Sequence, residues 1–267
     1  MDFTKLSKKI RRTILNTIYV AKTGHIGGSL SCIDILISLY YGKNLKFNPK
    51  NPNFKNRDRL IVSKGHATAA YYSLLAHLGF IKFSELKTYC KNKTRLGTHL
   101  SGKVPGVEFD TGSLGHGLGI GCGIAYSAKI DKKKYSTFVL LSDGELYEGS
   151  VWEALLFASH HHLNNLTIII DRNYQIVMDK TEDCIKLNPL DKKFKSFGYK
   201  TIEINGHSYK DLNNTFKKIK KMKSTKPTVI IANTIKGKGI SFMEKNVRWH
   251  HAVPQENEYE KAIKELN

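Results

Sequence analysis

Two short apolar runs constrain this chain more than anything else in it. Thr137–Ser142 (TFVLLS) and Leu166–Asp171 (LTIIID) show no polar alternation, so each reads as a strand buried on both faces. Such a strand belongs to a parallel sheet covered by helices on either side. The segment between them, Gly149–His161, has a helical pattern. Thr201–Ile204 and Thr228–Ala232 supply two further strands, separated by the helical stretch Tyr209–Met222. Strands alternating with helices predict an α/β fold: a three-layer parallel sheet with helices on both faces and right-handed crossovers. Ahead of it, Leu6, Ile10, Ile14 and Ile18 mark a helix over 4–20. A glycine-rich break at Gly24–Ser29 follows, then a helix over Ile33–Tyr41 capped by Ser31, the short apolar segment Leu60–Val62, and a helix over Ala67–Leu78. No linker interrupts the chain. Residues 1–267 read as a single domain, with an extended tail from about residue 236.

Lys+Arg minus Asp+Glu is 43 − 23, a net charge of +20. That excess suits nucleic acid, anionic membranes or phosphorylated metabolites. The lysines are scattered in runs such as 132–134 and 217–221, without a recognition helix or an aromatic-basic motif, so they read as solvated faces. No stretch approaches the ~20 apolar residues of a membrane span. The charged start MDFTKLSKKIRRTIL is not a secretory signal. The four cysteines form no CxxC pair and read as reduced thiols of a cytoplasmic protein. His160–His162 point in different directions on a helix end, which argues against a metal cluster there. Lys236–Gly239 (KGKG) lacks P-loop spacing, which removes an ATPase reading.

The chemistry concentrates at the ends of the two central strands. Asp143 closes the first, and Asn173 lies just past the second, thirty residues on. In a βαβ unit both project from the carboxyl edge, where doubly wound sheets bind ligands. Adjacent strands lie about 4.8 Å apart, so two oxygen donors there can share one magnesium ion, with water and phosphate completing its shell. Gly144 leaves room for a phosphate to approach the backbone. Read singly, Asp143-Gly144 is equally an ordinary turn and Asn173 a capping residue. His25, His66, His99 and His250 each stand beside glycine or another turn-like element. A sugar phosphate needs such donors and acceptors converging on one cleft, although any one histidine alone is as readily structural.

With these residues the sequence resembles the thiamine diphosphate-binding half of transketolase. The Asp143-Gly144…Asn173 pattern, Gly24-His25, Ser63–His66 (SKGH), Gly97–His99 (GTH), Thr111–Gly117 (TGSLGHG), Ile235–Gly239 (IKGKG) and Trp249-His250 all occur in transketolase order. Ser142 replaces the family's glycine, Ile26 its frequent proline and His116 its frequent glutamine. The resemblance implies the thiamine diphosphate-binding fold, with thiamine diphosphate and Mg2+ as cofactors. It implies side-chain ligation of the metal by Asp143 and Asn173, and ligation by the main-chain carbonyl of Gln175. His66 and His250 are implied at the diphosphate or reacting centre, and His25 and His99 at substrate hydroxyls and in proton transfer. Lys64 and Lys236 are implied near the cofactor, Gly112 and Leu114 against its aminopyrimidine ring, and Glu148 at the contact between subunits.

The resemblance also implies the activity: transfer of a two-carbon ketol unit from a ketose phosphate to an aldose phosphate. The chain ends soon after Trp249-His250, short of the family's pyrimidine-binding domain and its activating glutamate. The expectation is therefore the N-terminal subunit of a split transketolase, needing a separate C-terminal subunit in an α2β2 assembly, with Leu114–Ala128 as part of the interface. Two alternatives stand beside it. One is the α subunit of a 2-oxoacid dehydrogenase or a deoxyxylulose-phosphate-synthase-like protein, which shares the Asp-Asn pattern but not this histidine set. The other is a basic nucleic-acid-binding protein.

Overall fold

The computed structural model describes all of residues 1–267. Its centre is a five-stranded, wholly parallel sheet: β1 (Arg59–Val62), β2 (Thr137–Ser142), β3 (Leu166–Arg172), β4 (Lys200–Asn205) and β5 (Thr228–Asn233), in the order β1-β2-β3-β5-β4. The two runs that dominate the sequence, β2 and β3, pair centrally in register, Ser142 opposite Asp171. The short Leu60–Val62 segment proves to be the edge strand β1. The other edge, β4, is partly exposed along its length, as an edge strand is free to be.

Helices α1 (Phe3–Ala21), α2 (Ile26–Tyr40), α3 (Thr68–Leu78) and α8 (Tyr209–Lys221) cover one face, meeting Leu60, Val62, Phe138, Leu140, Ile169 and Ile230 of the sheet. Helices α4 (Gly117–Ile130), α5 (Gly149–His160) and α7 (Leu190–Ser196) cover the other, against Ile61, Val139, Leu141, Ile168, Ile170 and Ile231. Alternate residues of each strand thus feed opposite cores, which is why the runs carry no polar positions. The short α6 (Thr181–Cys184) lies between β3 and α7. All four cysteines are free thiols. No helix is long and apolar enough to cross a membrane.

Two sequence expectations change, those for the start of α2 and for the tail. Helix α2 begins at Ile26, not after a Ser31 cap, so Gly27 and Gly28 lie in its first turn. Glycine is a poor helix former, but a Cβ at Gly27 would stand 2.6 Å from the Trp249 carbonyl oxygen, so tertiary contact selects it. The glycine-rich stretch after Gly115 is largely helix α4, whose Gly121 lets Val139 of β2 approach. The tail from 236 is not extended. It holds a 3-10 turn at Val247–His250 and a helix, α9 (Glu256–Glu265), whose Ala262 joins the core beside α1, as does Leu266 just beyond it. The amphipathic spacing of Tyr259, Ala262, Ile263 and Leu266 carried that signal.

Candidate active site at the carboxyl edge of the sheet

Because every strand runs the same way, every carboxyl end faces one rim. Lys64 and His66 follow β1, Asp143 follows β2, Asn173 and Gln175 follow β3, His207 follows β4, and Lys236 follows β5. The hub beneath them is Asp171, which sequence reading treated only as the end of a strand. Its carbonyl accepts the main-chain N–H of Asp143 (3.3 Å) and of Asn173 (3.1 Å), so the two expected metal ligands hang from one peptide oxygen. Its fully buried carboxylate accepts from Lys64 Nζ, Ser31 Oγ (2.6 Å), Thr234 Oγ1 and Asn173 Nδ2 (3.4 Å). Burial alone would raise its pKa, but the Lys64 ammonium together with the Ser31 and Thr234 hydroxyls outweighs that and holds it below the usual carboxylate range. Lys64 is likewise fully buried and spent on this pair, with Gly28's carbonyl at 2.9 Å. It supports the site from below.

Asp143 is also fully buried. Its Oδ1 accepts the N–H of Gly144 (2.9 Å), and its Oδ2 accepts the N–H of Tyr174 (2.6 Å) and Arg172 Nη1 (3.1 Å). Burial nevertheless pushes its carboxyl up to about 6. A carboxylate that remains so poorly stabilised is suited to a cation. Asn173 Oδ1 accepts only the N–H of Gln175 (3.2 Å). The Gln175 carbonyl accepts Lys236 Nζ at 3.3 Å, which leaves it a second lone pair, and its side-chain Oε1 is buried without a partner. This all-oxygen donor set fits a hard divalent ion such as magnesium. Gly144 has a packing reason of its own, since a Cβ there would meet Ile176 Cγ2 at 2.7 Å.

The four histidines converge. The His25 ring centroid lies 5.2 Å from His66, 5.5 Å from His250 and 6.2 Å from His99, and His66 lies 5.8 Å from His250. His251, not singled out in the sequence, is nearest to His25 at 4.5 Å. Its place next to His250 was the available signal. Burial, the neighbouring rings and the Lys64 and Lys236 ammonium groups hold His25 down to about 4, His250 to about 3, and His66 well below the ordinary value. These rings are neutral at pH 7, able to accept a proton at one nitrogen and donate at the other. Lys236 is 2% exposed, and its ammonium touches only neutral acceptors: Ile176 O (2.9 Å), Gln175 O and His250 Nδ1 (2.8 Å). Burial lowers it to about 8.

Gly112 packs on the His99 ring, where a Cβ would stand 3.1 Å from its Cγ. Leu114 is half-buried in the same loop, which Glu145 holds: this buried carboxylate accepts the N–H of Gly115 (2.9 Å) and of Ser142 (3.3 Å), and the Ser63 hydroxyl. Ser142 therefore contributes its backbone to this anchor. His116 is the exposed N-cap of α4, and Ile26 lies in the core. Glu148 is exposed.

Comparison with known proteins agrees with this geometry. The family model described as "Transketolase, thiamine diphosphate binding domain" matches residues 3–266. The chain is 43% identical to the A subunit of the apulose-4-phosphate transketolase of Actinobacillus succinogenes, over 99% of this chain and 96% of that protein. It is 40% identical to the protein of the same name in Phocaeicola vulgatus, over 98% and 92%. Human transketolase is 35% identical over 97% of this chain but 41% of its own length. The crystal structure of Campylobacter jejuni transketolase superposes with a TM-score of 0.92 at 32% identity, covering all of this chain and 43% of that one. The chain thus spans less than half of these longer transketolases and nearly all of the two shorter relatives, and it belongs to the transketolase family as a thiamine diphosphate-binding domain of N-terminal type.

Proposed function

We propose that residues 1–267 act as one diphosphate-binding domain, the N-terminal component of a two-polypeptide transketolase that transfers a two-carbon ketol unit from a ketose phosphate to an aldose phosphate. The observation that carries this reading is the buried Lys236 ammonium, without a carboxylate partner, set against the neutral histidine cluster and the oxygen-rich ends of β2 and β3. An uncompensated buried cation calls for an anion. Asp143, Asn173 and the Gln175 carbonyl would hold magnesium, and Lys236, His66 and His250 would hold the diphosphate of thiamine diphosphate. Bound there, the cofactor supplies the electron sink for carbon–carbon cleavage. The chain's own part is orientation and proton handling. His25 and His99 bind substrate hydroxyls and exchange protons with them, a task for which an imidazole offers both a donor and an acceptor nitrogen. Lys64, locked on Asp171, keeps the floor rigid. Gly112 and Leu114 present the loop to the aminopyrimidine ring.

A partner supplying a pyrimidine-binding domain is supported by the two shorter relatives, which this chain spans at 92% and 96% of their length and whose names make each one component of a larger enzyme. Exposed apolar residues on two patches, Ile130, Leu156 and Phe157 on α4 and α5, and Val177, Met178 and Ile185 beside the metal loop, suit an α2β2 contact that includes Leu114–Ala128. Free thiols suit a cytoplasmic enzyme. The experiment is reconstitution with the cognate second polypeptide, thiamine diphosphate and magnesium. Ketol transfer between sugar phosphates by the pair, and none by this chain alone, is expected. Turnover of pyruvate instead, or full turnover by the single chain, overturns the reading.

A further inference from the structure

We infer that Asp34 and His207, which lie outside the histidine cluster, form a positioning pair that sets the Lys236 loop by fixing one imidazole tautomer. His207 follows β4 and bridges two elements. Its Nδ1 lies 2.7 Å from Asp34 Oδ2 on α2, and its Nε2 lies 2.8 Å from the main-chain N of Ile235. A peptide N–H can only donate, so Nε2 must be the acceptor and the ring proton must sit on Nδ1, donated to Asp34. Asp34 is kept ionised for that task. It is buried and also accepts from Arg11 Nη1 (2.9 Å) and Nη2 (2.8 Å), Ser7 Oγ (2.7 Å) and Tyr209 OH (2.6 Å).

The same network grips the loop a second time, because Arg11 Nε donates to the Lys238 carbonyl at 2.9 Å. Main-chain bonds hold it elsewhere: Gly237 N–H to Gly27 O (3.1 Å) and Thr234 N–H to Arg172 O (3.0 Å). Lys236 is thus flanked by His207 on one side and Arg11 on the other. Both are tied to one carboxylate on the helix whose first turn carries Gly27 and Gly28 beside the site. A cation meant for a diphosphate needs this stiffness, since its stem would otherwise spend binding energy on ordering. The consequence for anion binding rests on the function proposed above; the tautomer and the loop anchor do not.

The test uses the full chain labelled with 15N, and the reconstituted pair. Long-range 1H–15N spectra at pH 7 are expected to show His207 neutral with its proton on Nδ1; a proton on Nε2 overturns the proposal whatever the variants do. Amide exchange at Ile235 is expected to quicken roughly five- to tenfold in His207→Ala and His207→Asn, the scale of one lost hydrogen bond. It is expected to recover in His207→Gln, whose carboxamide oxygen can stand near the Nε2 position. Exchange unchanged in His207→Ala, or equally fast in the Gln variant, refutes the anchor. In the reconstituted pair the thiamine diphosphate Kd is expected to rise about tenfold in His207→Asn and to recover in His207→Gln. An unaltered Kd removes the link to Lys236. If wild-type chain and partner bind no thiamine diphosphate while the exchange results hold, the proposed function fails and the anchor stands.

Discussion

Lys236 Nζ lies 2.8 Å from His250 Nδ1; burial leads the lowered proton affinity of both groups, and the ammonium lowers that of the imidazole further. The ammonium meets this nitrogen and the carbonyls of Gln175 and Ile176; because it can only donate, Nδ1 accepts and the His250 ring proton is confined to Nε2. A lysine from the end of β5 and a histidine from the tail, fourteen residues apart, therefore form one polar unit at the site.

The depressed histidines make stability pH-dependent in a definite sense. His25, His66 and His250 have folded values below the ordinary 6.5, led by burial. Below 6.5 the unfolded chain takes up protons that the folded cluster refuses, so stability falls as pH drops from 6.5 toward 4 and is fully present above 6.5. Urea midpoints at pH 7 and pH 5 are expected to differ, with a smaller gap in His25→Asn. Equal gaps in wild type and variant count against the coupling.

Asp143→Ala removes the carboxylate from the oxygen set on β2 and β3 while leaving Arg172 buried. Calorimetric titration of the reconstituted pair is expected to show thiamine diphosphate affinity at least about tenfold weaker, a loss of about 1.4 kcal/mol or more, and no longer responsive to magnesium. Retained magnesium dependence would remove Asp143 from the metal site.

Lys64→Met strands the Asp171 carboxylate in a fully buried place. Breaking one side of such a pair is expected to destabilise the chain by ~3–5 kcal/mol. Lys64→Met with Asp171→Asn, which removes the stranded charge, is expected to regain part of it. Urea unfolding reads both, and a double variant no better than the single would show that charge is not the cause.

Two glycines should respond oppositely to alanine. At Gly27 the added Cβ meets the Trp249 carbonyl, and a loss of ~1–3 kcal/mol with a shifted Trp fluorescence maximum is expected. At Gly123, on the outer face of α4, a Cβ meets nothing within 4 Å. Alanine there is expected to stabilise the isolated chain by about 0.5–1 kcal/mol and to weaken association with the second polypeptide, measured by analytical ultracentrifugation. Unchanged association would move the interface away from α4.

The sequence by itself determined the layered parallel fold, because strands buried on both faces must be written in apolar residues, as β2 and β3 are. It also determined that Asp143 and Asn173 share one edge, since strand direction and side-chain period leave no other place for them. Tertiary structure alone decided which groups support them. Asp171 became the hub and Lys64 its buried counter-ion because their partners, Ser31 and Thr234, come from distant segments with no common motif. Gly27 inside a helix was settled by packing against Trp249, and the position of the tail helix Glu256–Glu265, whose amphipathic spacing is local, by packing against α1. Local propensity differs by about 1 kcal/mol or less per residue, so close contact between remote parts of the chain overrides it.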